Sequence, residues 1–218
     1  MPEQNNYICK VATLEEIEER WNEEANKNGN TSIYQEAKNE FINEVKKRNR
    51  IVYIGKIKDT IICDLTVILK PEGIKKEAKS NDNIINDTRV FLCAIRTNKE
   101  EENKGYFSKL LSYVENELLK QGYKEISLSV EENEKRNKNI YEHLGFTNYI
   151  KTEIIEGNGT IYTYHYLYKT IKNTSNKWGV FIRKILTENH FEYQYHEYMS
   201  HKNKIQHDID YIKQHPVL

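Results

Sequence analysis

The stretch Asn103-Lys104-Gly105-Tyr106-Phe107-Ser108-Lys109-Leu110-Leu111 decides the fold of this chain, because a charged loop ends there in a glycine and an amphipathic helix begins at once. An apolar, strand-like run at residues 90–95 precedes the loop. A strand, a glycine-bearing turn and a helix N-terminus in this order leave backbone N–H groups unpaired, and the helix dipole adds partial positive charge. Such a turn is suited to bind a phosphate or a diphosphate.

A second informative stretch, Asn139-Ile140-Tyr141-Glu142-His143-Leu144-Gly145-Phe146, reads as a short helix closed by glycine. Together the two stretches resemble the GNAT family of acetyl-CoA-dependent N-acetyltransferases. The first is similar to the family's diphosphate loop, Gln/Arg-x-x-Gly-x-Gly/Ala, and the second to its Tyr-x-x-x-Gly-Phe segment. The resemblance covers residues 7–170. It departs from the family pattern at Glu102, where Gln or Arg is usual, and at Phe107, where Gly or Ala is usual.

The pattern around these motifs predicts the element order β-α-α-β-β-β-α-β-α-β-β. Thr13 and Glu16 form a capping box that starts the first helix, and Gly122 is the expected end of the helix after the loop. The apolar stripe of that later helix consists of Phe107, Leu110, Leu111, Val114 and Leu118. This order agrees with the fold that the resemblance implies, an α/β (α+β) fold with a mixed, mostly antiparallel sheet flanked by helices.

The 218 residues are expected to form a GNAT acetyltransferase domain at residues 1–172 and a C-terminal extension at residues 173–218. The polar run Asn173-Thr174-Ser175-Asn176 marks the boundary, and apolar spacing near the end predicts that the extension is partly helical. The role of the extension stays open, and a homodimer contact is one possibility.

Charge and composition exclude several classes of protein. The 33 basic and 33 acidic residues cancel, which argues against a dedicated nucleic-acid binder. No apolar run approaches the roughly 20 residues of a membrane span, and the N-terminus carries no secretion signal. The three cysteines lack close spacing and predict reduced thiols. We therefore expect a cytoplasmic protein without a membrane partner. We also expect no metal site, because most of the seven histidines lie in the extension at spacings that match no known ligand pattern.

The resemblance implies a role for each candidate residue in acetyl transfer. The backbone N–H of Ile95, Arg96 or Thr97 would stabilise the oxyanion that develops on the thioester carbonyl, and Tyr141 would protonate the departing thiolate. Asn133 or Asn137 would hydrogen-bond the cofactor arm or order a water. The diphosphate of acetyl-CoA would be held by the backbone of Asn103, Lys104, Gly105, Tyr106, Phe107 and Ser108.

Two points of the chemistry stay open. No general base stands out: Glu131 and Glu132, at the end of a predicted strand, are candidates, and a water chain would serve equally. Phe107 either points inward as the first core residue of its helix, which leaves its N–H free, or blocks the site in a chain that has lost its activity.

The resemblance implies transfer of an acetyl group to the primary amine of a small molecule. Two alternatives remain: a non-catalytic acyl-CoA-binding or regulatory module, and a protein- or tRNA-directed acetyltransferase whose extension docks the macromolecule. The acidic first helix either attracts a cationic amine or is simply a solvated face. Its acidic residues are Glu15, Glu16, Glu18, Glu19, Glu23 and Glu24.

Overall fold

The computed structural model describes residues 7–28, 32–74, 83–157 and 159–171. All of them belong to one compact unit, Met1–Lys172. The predicted extension at residues 173–218 lies outside the described residues, and so does Asn158 of the last hairpin.

Seven strands of the described chain form one sheet in the order β1-β2-β3-β4-β5-β7-β6. The strands are β1 Tyr7–Val11, β2 Arg50–Ile57, β3 Thr60–Ile68, β4 Arg89–Thr97, β5 Glu125–Glu131, β6 Asn148–Gly157 and β7 Thr160–Thr170. The α-helices are α1 Leu14–Asn28, α2 Ser32–Lys46, α3 Tyr106–Lys120 and α4 Lys135–His143. Every neighbouring pair of strands is antiparallel except β4 and β5. The predicted element order and the mixed, mostly antiparallel sheet are confirmed.

Local sequence signals set the ends of the helices. Glu16 N donates to Thr13 Oγ1 at 3.3 Å, and Thr13 N donates to Glu16 Oε2 at 3.0 Å. This reciprocal pair is the predicted capping box at the start of α1. At the end of α3, Gly122 has φ +93°, and the N–H of Tyr123 reaches back to Leu118 O at 3.1 Å. The predicted glycine stop is therefore confirmed as a Schellman turn.

Two apolar layers cover the two faces of the sheet. The first layer contains α3, whose Leu110, Val114 and Leu118 are fully buried. The second contains α1 and α2, with Ile17 and Phe41 packed against β2. The predicted α3 stripe packs in the first layer, although its first member, Phe107, is only half-buried. Its neighbour Tyr106, 8% exposed, is buried more deeply and packs on Tyr7.

The sheet splits between β4 and β5, and this split positions the site. Only three residues of each strand pair: Arg89 lies opposite Glu125, Val90 opposite Ile126 and Phe91 opposite Ser127. Beyond these residues β4 pairs only with β3, and β5 pairs only with β7. The strands therefore diverge into a gap between residues 92–97 of β4 and 128–131 of β5.

Other features of the described chain bear on its class. Cys9, Cys63 and Cys93 are free thiols, as the sequence predicted. Among the described helices, none is long and apolar enough to cross a bilayer.

Candidate active site

The turn before α3 presents backbone groups to open space. Gly105 has φ +77°, a left-handed conformation that favours glycine, and a Cβ added there would meet no atom within 4 Å. Asn103 is also left-handed, with φ +61°. Lys109 N donates to Gly105 O at 3.2 Å, so the helical ladder starts with Lys109. The N–H groups of Phe107 and Ser108 precede that ladder and have no acceptor among the described residues.

The side chain of Phe107 lies away from these backbone groups. It is half-buried and packs against the core layer beneath α3. Ser108, the next residue, is exposed. The ring thus packs inward, as one of the two interpretations of Phe107 requires.

The sheet supports the start of α3 through Tyr7, a residue that the sequence did not single out. Its hydroxyl donates to Tyr106 O at 3.0 Å and lies 2.9 Å from Cys63 Sγ, and its ring centroid is 4.8 Å from that of Tyr106. Burial raises the pKa of Tyr7 far above its ordinary value, and the bond to Cys63 raises it further. The ring crosses β2 at Gly55, where a Cβ would lie 1.8 Å from the hydroxyl oxygen. Glycine at this position therefore permits the contact between β1 and α3.

A β-bulge distorts β4 at the gap. Thr66 lies opposite Cys93 and Asp64 opposite Arg96, so the single residue Leu65 faces both Ala94 and Ile95. Ala94 has φ +49°, which is rare for a residue with a Cβ and costs about 1–3 kcal/mol. A bulge leaves backbone groups out of the ladder, and such strain is concentrated at functional sites. The sequence gives no signal for this bulge, because the bulge depends on the register of β4 against β3.

Beyond the bulge, the backbone N–H of Thr97 points to the edge of β4 that faces the gap. Asn98 N donates to Ile62 O on β3 at 2.9 Å. Successive N–H groups of a strand point to opposite edges, so the N–H of Arg96 faces β3 and that of Thr97 faces the gap. Of the three predicted oxyanion donors, Ile95 lies at the bulge, Thr97 points into the gap and Arg96 points away from it.

Tyr141 lies on α4 and is half-buried against the same core layer as α3. Its ring centroid is 6.2 Å from that of Phe146, and its carbonyl accepts from Phe146 N at 3.0 Å. Burial raises the pKa of Tyr141, and the negative charge of Glu134 raises it further. The phenol therefore keeps its proton at neutral pH, as a general acid must.

The remaining candidates lie around the β5 wall of the gap. Glu131 ends β5 opposite Tyr164 of β7 and is half-buried. The amide nitrogen of Asn137 donates to Glu134 Oε2 at 2.8 Å, so this amide is already engaged within α4. Asn133 is exposed in the turn between β5 and α4, next to the equally exposed Glu132.

Charged side chains connect the loop before α3 to its surroundings. Lys104 Nζ pairs with Glu101 Oε2 at 3.1 Å. Glu102, the residue that departs from the family pattern, pairs with Arg136 in the first turn of α4. This ion pair joins the loop that follows β4 to the helix that follows β5.

The acidic residues of α1 are mostly solvated or paired within the fold. Glu15, Glu18 and Glu19 are exposed. Glu16 pairs with Lys10 at 2.9 Å and with Lys56 at 2.8 Å. Burial works against the charge of Glu16, but hydrogen bonds from Lys56, Thr13 and Lys10 lower its pKa to about 2. Among the described residues, no group of three His, Cys, Asp or Glu side chains is placed to hold a metal ion.

Comparisons with known proteins identify the class. The profile of the acetyltransferase (GNAT) family matches residues 14–146. No match to a curated protein was found. An N-acetyltransferase from Staphylococcus aureus Mu50 shares the fold at 11% identity and a TM-score of 0.55, over 77% of this chain and 99% of that one.

Two further solved structures are similar. The ribosomal-protein-S18-alanine N-acetyltransferase from Escherichia coli is 11% identical, with a TM-score of 0.55 over 78% of this chain and 97% of its own. The spermidine N-acetyltransferase from Vibrio cholerae, in complex with CoA and spermine, is 12% identical, with a TM-score of 0.56 over 76% of this chain and 95% of its own. At these identities the likeness shows the fold alone.

Proposed function

Because the chain belongs to the acetyltransferase (GNAT) family, we propose that it transfers the acetyl group of acetyl-CoA to the primary amine of a small molecule. The observation that carries this proposal is the gap between β4 and β5. Its β4 wall has a strained bulge at Ala94, and the loop that leaves this wall ends at the open turn before α3.

The turn before α3 fits the diphosphate of the coenzyme. The N–H groups of Phe107 and Ser108 precede the helical ladder and carry the positive end of the α3 dipole. Gly105 leaves open space next to them, so the phosphate oxygens can approach the main chain. The half-buried ring of Phe107 does not need to move for this approach.

The open edge of β4 fits the pantetheine arm and the thioester. An extended chain can add to an exposed strand edge through main-chain hydrogen bonds. The N–H of Thr97 faces the gap, and the bulge at Ala94 and Ile95 frees backbone groups beside it. A backbone N–H held 2.7–3.1 Å from the developing oxyanion contributes roughly 3 kcal/mol of transition-state stabilisation.

Tyr141 and a base complete the proposed reaction. The neutral amine nitrogen forms a bond to the acetyl carbon, and the carbon–sulfur bond breaks with its electron pair on sulfur. The Tyr141 hydroxyl donates its proton to that sulfur, and the ammonium proton leaves to water or to Glu131. The raised pKa of Tyr141, caused by burial, keeps this donor protonated before each turnover.

The test is an assay of thiol release from acetyl-CoA against a panel of small primary amines, with mass spectrometry of the acetylated product. Amine-dependent thiol release together with an N-acetylated product supports the proposal. Coenzyme binding without turnover of any amine contradicts it and favours the non-catalytic module instead.

A further inference from the structure

A buried charge network lies on the face of the sheet that α1 and α2 cover. Asp64 on β3 is 1% exposed, and two arginines share its carboxylate. Arg20 of α1 donates from Nε to Oδ1 at 2.9 Å. Arg96 of β4 donates from Nε and Nη2 to Oδ2 at 2.9 and 2.7 Å. The proposed coenzyme site uses main-chain N–H groups and neither of these arginine side chains.

The two arginines differ in whether they keep an N–H donor for a ligand. The side chain of Arg20 is 7% exposed, and its Nη1 is committed to Glu23 Oε2 at 2.8 Å. The side chain of Arg96 is 33% exposed, and its Nη1 has no hydrogen-bond partner among the described residues. Asp64 therefore holds Arg96 in one orientation by two hydrogen bonds while one end of the guanidinium remains open to a ligand.

The network forms one wall of a recess. The recess is open to solvent, and its enclosed part has room for about one water-sized group. Trp21 and Phe41 form an apolar wall, with ring centroids 5.3 Å apart. The polar side chains in its lining are Glu16, Arg20, Asp64, Thr66 and Arg96.

The charged side chains that line the recess are two arginines and two carboxylates, so its lining is neutral. Glu16 is paired with Lys10 and Lys56, and Arg20 is paired with Asp64 and Glu23. The preference for an anion therefore rests on the open donor of Arg96. Because Asp64 is fully enclosed by its two arginine partners, it offers no free oxygen to an incoming ammonium group.

The position of Arg96 along β4 connects this recess to the proposed reaction. Arg96 follows the bulged residues Ala94 and Ile95 directly. The side chain of Ile95 packs on the α3 side of the sheet, whereas that of Arg96 lines the recess on the α1–α2 side. An acceptor held by Arg96 would therefore sit on the α1–α2 face, next to the backbone that faces the thioester.

We propose that Arg96, positioned by Asp64, binds a carboxylate of the acceptor, so that the acceptor class is amines that carry a carboxylate, such as amino acids. This inference rests on the proposed acetyl transfer. A bidentate or charge-assisted hydrogen bond between a fixed guanidinium and a carboxylate gives both affinity and geometric specificity. Trp21 and Phe41 would contact the apolar part of the acceptor.

The first experiment needs no variant. Thiol release from acetyl-CoA is measured with the common amino acids, with the matching amino acid amides, and with spermidine. The amides keep the primary amine and lose only the carboxylate charge. We expect kcat/KM for the preferred amino acid to exceed that of its amide at least about tenfold, mainly through KM. Equal or better use of the amides or of spermidine overturns the inference and leaves the acetyl transfer intact.

The second experiment removes the guanidinium. Arg96→Gln is expected to raise KM for the amino acid about tenfold or more relative to KM for its amide, because only the amino acid carries the carboxylate that the guanidinium would bind. Arg96→Lys keeps the positive charge but loses the planar guanidinium, so its KM for the amino acid is expected to lie between those of the native protein and Arg96→Gln. Arg89→Gln is the matched control, because Arg89 lies at the far end of β4 and pairs with Glu125 at 2.7 Å.

The outcomes separate the two proposals. Thermal unfolding and CoA calorimetry on each variant establish that the fold and the coenzyme site survive. A preference for the carboxylate that persists in Arg96→Gln overturns the assignment to Arg96. Coenzyme binding without transfer to any carboxylate-bearing amine overturns the acceptor class. A native protein that binds no CoA refutes the acetyl transfer itself, and the acceptor inference with it.

Discussion

A single phenol carries the proton-transfer step of the proposed reaction. Tyr141 is half-buried beside Phe146, and its hydroxyl has no hydrogen-bond partner among the described residues. Tyr141→Phe removes only the donor and keeps the ring in place. We expect kcat to fall by about 10²–10⁴-fold while the Kd of CoA changes little, because general acid catalysis contributes on this scale. Thiol-release kinetics and calorimetry measure the two values, and an unchanged kcat would assign Tyr141 to packing.

The pH dependence follows from the environment of the same residue. Burial raises the pKa of Tyr141 above its ordinary value of 10.0, and Glu134 raises it further. The phenol is mostly protonated at every pH below its pKa, so the midpoint of the alkaline loss of kcat should lie above pH 10. A profile of kcat against pH measures this limb. An activity loss centred well below pH 10 that disappears in Tyr141→Phe would contradict the predicted environment.

Glu102 places a negative charge where the family pattern usually has Gln or Arg. Its carboxylate pairs with Arg136 and lies in the loop that should hold a diphosphate. Glu102→Gln removes a like charge near the phosphates and releases Arg136, so the Kd of CoA should fall up to about fivefold at low salt and less at high salt. Glu100→Gln, an exposed neighbour, is the control. Weaker binding in Glu102→Gln would mean that the ion pair holds the loop in its binding conformation.

At the scale of elements, α3 offers a matched pair of glycines. Gly105 and Gly122 flank the helix, both are left-handed, and a Cβ at either would meet no atom within 4 Å. Alanine at each position should cost about 1 kcal/mol of stability through backbone strain. Only Gly105→Ala should weaken CoA binding, about tenfold or more, because its methyl group would lie beside the phosphate-binding N–H groups. Equal CoA affinities in the two variants would show that this turn does not bind the diphosphate.

The elements themselves were largely predictable from the sequence, whereas the distortions at the site were not. The capping box at Thr13, the glycine stop at Gly122 and the apolar periods are local signals, and they gave the element order. The bulge at Ala94 depends on the register of β4 against β3, which no local pattern encodes. The burial of Tyr106 was not predicted either, because it depends on Tyr7, about a hundred residues earlier, which packs on its ring.

At the scale of the whole molecule, β1 and β2 support the start of α3 through Tyr7 and Gly55. The Tyr7 hydroxyl crosses Gly55 to reach the carbonyl of Tyr106. Gly55→Ala places a methyl group within 1.8 Å of that hydroxyl and should cost about 1–3 kcal/mol of stability, as overpacking does. Urea unfolding gives this free energy. Tyr7→Leu/Gly55→Ala should lose less stability than the sum of its single changes, and strict additivity would show that the two residues do not interact.

The whole account depends on a coenzyme held across a split sheet by the main chain. Isothermal titration calorimetry of the native protein with CoA, and with 4′-phosphopantetheine and pantetheine as a pair that differs by one phosphate, tests this most directly. The account predicts a saturable heat for CoA and an affinity for pantetheine at least about tenfold lower than for 4′-phosphopantetheine, because the N–H groups near Gly105 would bind that phosphate. No heat at millimolar CoA, or equal affinities for the two pantetheine compounds, would contradict it.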